Sequence, residues 1–177
     1  MTEIVNVVSH YPAWRALFRQ EEVRIRRALG DVVVNLHHIG STAIAGIHAK
    51  PIIDIMLEVG DLEVLDEHKA AMERLGYEVM GEFGIPGGRY FRKDDLTGKR
   101  THQVHAFQAA SPGAERHLAF RDYLIAHPEI AQRYSELKQH LARVHPHDRQ
   151  AYMDGKAPFI EEHEARALLW KRSQNSV

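Results

Sequence analysis

Residues 37–57, "HHIGSTAIAGIHAKPIIDIML", carry the reading that decides the fold. One apolar run ends in Ile39-Gly40-Ser41, and the next, "PIIDIML", holds a lone acid, Asp54, among aliphatic neighbours. A charge in such a run is costly unless it is partnered, so Asp54 either ties the fold together or does chemistry. The first run belongs to "DVVVNLHHIG", which alternates as a strand does. Val32, Val34, Leu36 and His38 share one face; Val33, Asn35, His37 and Ile39 share the other. "PIIDIMLEV" is apolar on both faces, which places it centrally in its sheet. Between the two, "STAIAG" is too short for a full helix, and Ser41 or Thr42 can cap a single turn there.

Outward from this pair the pattern is helical, then extended, then helical. Tyr11 to Leu29 reads as a helix with Tyr11, Trp14, Phe18, Ile25 and Leu29 on one stripe, Glu22 as a partly exposed acid in its gap, and Gly30 as its end. Asp61 caps a second helix, "DLEVLDEHKAAMERLG", which Gly76 closes. "YEVMG", "GRYFRKD" and "KRTHQVHAFQ" follow as short strands parted by turn material, a meander and not a βαβ repeat. The tail is helical. "AERHLAFRDYLIAH" runs up to Pro128, and a helix opened by that proline carries Ile130, Tyr134, Leu137, Leu141 and Val144 on one stripe. "HPHD" (His145 to Asp148) reads as a surface turn, and a last helix is expected from about Pro158 to Lys171. The class is therefore α+β, a small mixed sheet with flanking helices and a helical C-terminal part. Residues 1–110 would form the sheet-bearing core and 111–177 the helical part, packed as one compact unit.

Composition narrows the functions. Lys plus Arg is 23 against 24 for Asp plus Glu, so the strongly basic footprint of a general nucleic-acid binder is missing. There is no cysteine, which removes disulfides, thiolate zinc sites and a cysteine nucleophile, and fits a cytoplasmic protein. The start, "MTEIVNVVSHYPAW", lacks the pattern of a signal peptide, and no apolar run approaches the ~20 residues of a membrane span.

Gly40 lets a backbone approach a ligand closely, and the amides and hydroxyls of Ser41 and Thr42 suit a phosphate. Lys50 adds positive charge just outside the second strand. Asp54 can hold a Mg²⁺ or Mn²⁺ against that phosphate. Gly46 is not followed by Lys-Ser or Lys-Thr, so this is no P-loop. On the meander, His102 and His105 are candidate metal ligands with Asp54, a set suited also to Zn²⁺ or Ni²⁺. Three apart on a strand they face opposite sides, so both reach one ion only across a bulge. Alternatively His105 and Asp54 form a catalytic acid/base pair, or the histidines are hydrogen-bonded structural residues. Arg89 and Arg92 are expected at a phosphate-binding rim, while Lys93 and Lys99 read as solvated strand-edge charge. Tyr152 and Lys156 either reach back to the cleft or pack the tail on the sheet.

A hydrophobic-Gly-Ser element followed by an acid on the next strand resembles the signature of the nucleotidyltransferase superfamily, the fold of DNA polymerase beta. More closely, "HHIGSTAIAGIHAKPIIDI" resembles the GrpB family, also met as a C-terminal domain on some dephospho-coenzyme A kinases. The likeness continues in "RYF", "HQVH", "LAFRDYLIAHPEIAQRYSELKQHLA" and "YMDGKAPFI", and so covers most of the chain. It implies a nucleotidyltransferase-like fold and, as ligand, a nucleotide or other phosphorylated small molecule, with metal-dependent transfer of a nucleotidyl or phosphoryl group to a small acceptor. A non-catalytic binding or folding-assistance module of the same fold, and a different metal-dependent reaction using Asp and His, are the alternatives. His37 stands where the family usually has Glu, and Ala45 where it has Pro. Met56 occupies the position of the superfamily's second carboxylate, and Glu58, two residues on, lies roughly 6–7 Å further along the strand.

Overall fold

The computed structural model describes residues 4–176; residues 1–3 and 177, the outer ends of the two expected parts, lie outside it. Helix α1 (Trp14–Leu29) leads into strand β1 (Val33–Ile39), a 3-10 turn at Ser41–Ala43 and strand β2 (Ile53–Val59). Helices α2 (Leu62–Glu67) and α3 (Lys69–Arg74) come next, then β3 (Glu78–Val79), β4 (Gly88–Asp94) and β5 (Arg100–Gln108). Three helices complete the chain: α4 (Pro112–Ala126), α5 (Pro128–Val144) and α6 (Arg149–Gln174).

The five strands lie in the order β1-β2-β5-β4-β3, with β2 and β5 parallel and the other pairs antiparallel. This is the expected α+β class, a mixed sheet with flanking helices. β2 is flanked on both sides, as its two apolar faces require. Ile53, Ile55, Leu57 and Val59 point one way and are at most 2% exposed. They pack with Val104 and Ala106 of β5 against Trp14, Phe18 and Ile25 of α1 and Met72 of α3. Burying each such side chain is worth ~1.5–3 kcal/mol, which is why this run occupies the middle of the sheet. The opposite face carries Asp54, Met56 and Glu58, with Gln103, His105 and Phe107 beside them in register. There Ile39, Met56 and Phe107 pack beneath Ala114 of α4. A separate core of Ile44, Ile47, Tyr123, Leu124, Ile130 and Tyr134 binds α4 and α5 to the loop after the 3-10 turn.

Several expectations are corrected. The helix after Asp61 is two pieces that meet at His68, although Asp61 does cap it by accepting from the Glu63 amide at 2.8 Å. Gly40, and neither Ser41 nor Thr42, precedes the 3-10 turn, which has no side-chain cap. The last helix starts at Arg149, nine residues before Pro158, and runs through that proline. Asp148 of "HPHD" is its N-cap, bonded to the Ala151 amide at 2.9 Å. The stripe of α1 buries Glu21 at 1% exposure, beside the partly exposed Glu22. Among the described residues no helix is long and apolar enough to cross a membrane.

A candidate phosphate-binding cleft

Where β1 ends, Gly40 turns the chain with φ 72° and ψ −175°, a conformation open essentially to glycine alone. A Cβ there would stand 2.7 Å from Asp54 Oδ2. The bare glycine therefore lets the carboxylate lie against the turn, and Ile39 and Asp54 are register partners across β1 and β2. Asp54, 27% exposed, opens onto two adjoining cavities of about 190 and about 230 Å³, both of which Gly40, Ser41 and Tyr134 also border.

The larger cavity is cationic. Lys50, Lys138, Arg149 and Lys156 border it, with Asp54 as its one acid among the described residues. Lys138, 2% exposed on α5, donates to Ser41 Oγ at 2.7 Å and to the His48 carbonyl, and stands 4.5 Å from the Tyr134 ring centroid. Lys50 and Lys156 both lie 4.9 Å from the centroid of the Tyr152 ring. Burial and the neighbouring charge of Lys156 bring the Lys138 ammonium down to about 7, against a partial lift from Asp54. Burial and Lys50 bring Lys156 down to about 8. The Tyr134 and Tyr152 phenols are raised by burial and stay protonated.

The smaller cavity is walled by Ile39, Ile44, Phe120, Leu124 and Ile160. His105 and His117 border its Asp54 end. His105 Nε2 lies 3.7 Å from Asp54 Oδ1, and its ring sits between Tyr90 and His117, at centroid distances of 5.3 and 5.7 Å. Burial and the nearby His105 push the His117 imidazole down to about 4, so it is neutral near pH 7.

The cleft thus collects Gly40, Ser41, Lys50, Asp54 and His105 from the sequence-expected set. Thr42 borders the larger cavity, but its Oγ1 is bonded to His38 Nε2 at 2.9 Å. His102 is not in the cleft. It faces α1 from the other side of the sheet, with Nδ1 2.8 Å from Thr101 Oγ1 and Nε2 4.0 Å from the buried Glu21. β5 runs through His102 to His105 in unbroken register with β2, so no bulge turns it round. Arg89 is held by both oxygens of Asp66 on α2, at 2.8 and 3.0 Å, and Arg92 by both oxygens of Glu78 on β3, at 2.8 and 3.2 Å. Neither borders the cleft, because bidentate carboxylate partners on neighbouring elements claim both guanidinium groups.

Nor do the donors fit a resident divalent ion. Met56 is fully buried in the sheet's second face beneath α4. Glu58 is committed to His37, 2.5 Å from its Nε2. Asp54 has only His105 beside it, and no group of three His, Cys, Asp or Glu side chains converges among the described residues. Mg²⁺ asks for near-octahedral oxygen coordination, toward which the described residues bring one carboxylate, Asp54.

Lys138, Arg149 and His117 were not singled out in the sequence. The one signal for Lys138 is its place within an apolar stripe, four residues after Tyr134 and three before Leu141. Tyr152 and Lys156 do reach the cleft, and Gly155 between them explains how. A Cβ on Gly155 would come within 2.5 Å of Leu141 Cδ2, so its absence lets α6 settle onto α5.

Comparison with known proteins agrees with the fold and adds the family. The UPF0157 protein YqkA of Bacillus subtilis is 41% identical over 173 residues, 98% of this chain, which spans 50% of that protein's length. The crystal structure of the conserved protein GrpB from Enterococcus faecalis superposes with a TM-score of 0.89 at 41% identity, covering 94% of this chain and 99% of that one. The Cid1 poly(U) polymerase is a far weaker match, with a TM-score of 0.46 at 10% identity over 74% of this chain and 45% of its own, too slight to say anything of activity. The sequence pattern described as "GrpB protein" matches residues 4–166, and the chain belongs to the GrpB family.

Proposed function

We propose that this protein binds a nucleotide or other phosphorylated small molecule by its phosphate groups and transfers a nucleotidyl or phosphoryl group from it to a small acceptor. One observation carries the reading: Lys50, Lys138, Arg149 and Lys156 converge with Ser41 on a single cavity whose only acid among the described residues is Asp54. A cleft lined by one sign of charge concentrates ligands of the other. In the transfer, the acceptor oxygen forms a bond to phosphorus while the bond from phosphorus to the leaving phosphate oxygen breaks. The acceptor's proton passes to His105 Nε2, the Asp54 carboxylate 3.7 Å away offsets the positive charge the imidazole then gains, and the lysines hold the charge that develops on the leaving group.

A second reading, binding without transfer, is favoured by Met56 at the place of a second carboxylate. Calorimetry and thermal melting with ATP, GTP, CTP, UTP and inorganic tripolyphosphate separate the two. Binding is expected to raise the melting temperature, corresponding to about 2.7 kcal/mol at a hundredfold excess over Kd. Lys156→Met is expected to weaken binding at least tenfold. Asp54→Asn is expected to bind as well as the parent and to lose turnover. Intact function in Asp54→Asn selects the second reading, and no binding of any of these polyanions at millimolar concentration removes both.

A further inference from the structure

We infer that the apolar cavity beside Asp54 is the acceptor site, and that it takes a small ring-sized molecule, mostly apolar, bearing one hydroxyl or amine. The inference rests on the proposed transfer reading and names its second substrate. Three observations carry it.

The first is continuity. The apolar and cationic cavities meet at Gly40, Ser41, Asp54 and Tyr134, and only the apolar one is bordered by His105. A nucleophile approaching a phosphate held by the lysines therefore enters past His105 from the apolar side. The second is lining chemistry. Ile39, Ile44, Phe120, Leu124 and Ile160 form the walls. Of the polar groups beyond them, His117 Nε2 is buried with no hydrogen-bond partner among the described residues, a single point for one heteroatom, while the charged side chains face other groups. Arg121 donates to the His38 carbonyl at 3.2 Å and pairs with Asp122 at 2.8 Å, and Glu164 lies 3.9 Å from Arg116. A sugar or other polyol would leave most of its hydroxyls facing aliphatic carbon, at a cost of ~1–3 kcal/mol for each group left unpaired. The third is size. The cavity holds about 190 Å³, and an apolar cavity of roughly 150 Å³ accommodates benzene. One ring with a short substituent fills the space, and its single heteroatom can face Asp54 and His105.

Placed there, the acceptor's O–H or N–H is the group that loses a proton to His105 Nε2 as its heteroatom bonds to phosphorus. The leaving phosphate stays among the lysines, so the two products part into separate cavities.

The test is an isoleucine-methyl NMR titration of the full chain, which needs no variant. Benzyl alcohol is the probe, glycerol the polar control and ATP the phosphate ligand. Benzyl alcohol is expected to shift the methyls of Ile39, Ile44 and Ile160 and to leave that of Ile25, buried on the other side of the sheet, in place. Glycerol is expected to shift none, and saturating ATP is expected to leave the benzyl alcohol response intact. Unmoved methyls, or a glycerol response equal to that of benzyl alcohol, would overturn the inference. Displacement of benzyl alcohol by ATP would overturn it too, by assigning the cavity to the nucleobase. Failure of the underlying reading looks different: neither ATP nor tripolyphosphate would bind at all, whatever benzyl alcohol does. Ile160→Asn, similar in size and polar, is expected to weaken benzyl alcohol binding at least fivefold while changing ATP affinity less than twofold. Unchanged benzyl alcohol binding in that variant would again overturn the assignment.

Discussion

At the scale of single residues, the cleft depends on Gly40 having no side chain. Its φ of 72° with ψ −175° is strained for any other residue, and an added methyl would meet Asp54 Oδ2 at 2.7 Å. Gly40→Ala is expected to cost ~1–3 kcal/mol in urea unfolding and to turn the carboxylate aside, lowering turnover more than phosphate affinity. Gly40, Ser41 and Asp54 were legible because a glycine turn and a lone acid stand out in an apolar run. Lys138 was not, since a lysine on an amphipathic helix is ordinarily solvated. Its burial follows from what packs on α5, which the local pattern does not show. That burial has a pH signature. On the proposed reading, Lys138 and Lys156, lowered to about 7 and about 8, would bind a phosphate best when charged, and a bound anion would raise both. Affinity is therefore expected to fall as pH rises above 7. Calorimetry at pH 8 in buffers of different ionisation enthalpy is expected to show uptake of about one proton per ligand. Stability of the free protein runs the other way. The unfolded chain holds these protons up to about 10.5 and the folded chain releases them near 7 and 8, so unfolding free energy is expected to rise with pH across that window.

At the scale of elements, existence and type followed from periodicity, while junctions did not. Gly88–Asp94 and Arg100–Gln108 are strands as their alternation between turns required. The helix over Leu62–Arg74 breaks at His68, where its Nδ1 lies 2.8 Å from the Val64 carbonyl, a local bond that no periodicity reports. α6 passes through Pro158 because its sixteen C-terminal and nine N-terminal neighbours in the helix have packing of their own, Tyr152 before the proline and His163 and Ala167 after it being buried. Tertiary contact outweighs the loss of one backbone bond, which costs ~3 kcal/mol in an isolated helix. The contact of α6 with α5 at Gly155 is what sets Lys156 and Tyr152 opposite Lys138. Gly155→Val would drive a branched side chain into Leu141, against which even a Cβ comes within 2.5 Å. It is expected to cost about 1–3 kcal/mol by overpacking and, by parting the helices, to weaken tripolyphosphate binding several-fold. Equal affinity in a destabilised variant would show that the lysines do not depend on this contact.

At the scale of the whole molecule, one sheet separates two kinds of polar burial. The face toward α4, α5 and α6 holds the cleft. The face toward α1 holds a closed group in which Glu21 accepts from Tyr77 at 2.8 Å and from Lys93, with His102 nearby. That His102 and His105 face opposite sides was legible from alternation, but which of them meets Asp54 was not, because it depends on β5 pairing in parallel with β2 across the forty residues between the two strands, which puts His105 beside Asp54 and His102 behind it. Lys93→Met tests the partition. Burial alone would raise the Glu21 carboxyl, but the hydrogen bonds from Lys93 and Tyr77 outweigh it and hold the group below its ordinary 4.5. In the parent, that contribution to stability is present above 4.5 and is lost as pH falls through the lower folded value. Without the ammonium, burial dominates and the carboxyl moves above 4.5, so in the variant folding opposes ionisation and stability declines as pH rises toward 7. Urea unfolding is expected to show Lys93→Met about 3–5 kcal/mol less stable at pH 7, with a clearly smaller deficit at pH 4. Tripolyphosphate affinity is expected to stay within twofold, since none of these groups borders the cleft. A deficit independent of pH would mean that Lys93 acts by packing on Tyr77, 4.8 Å from its ring centroid, and not by its charge.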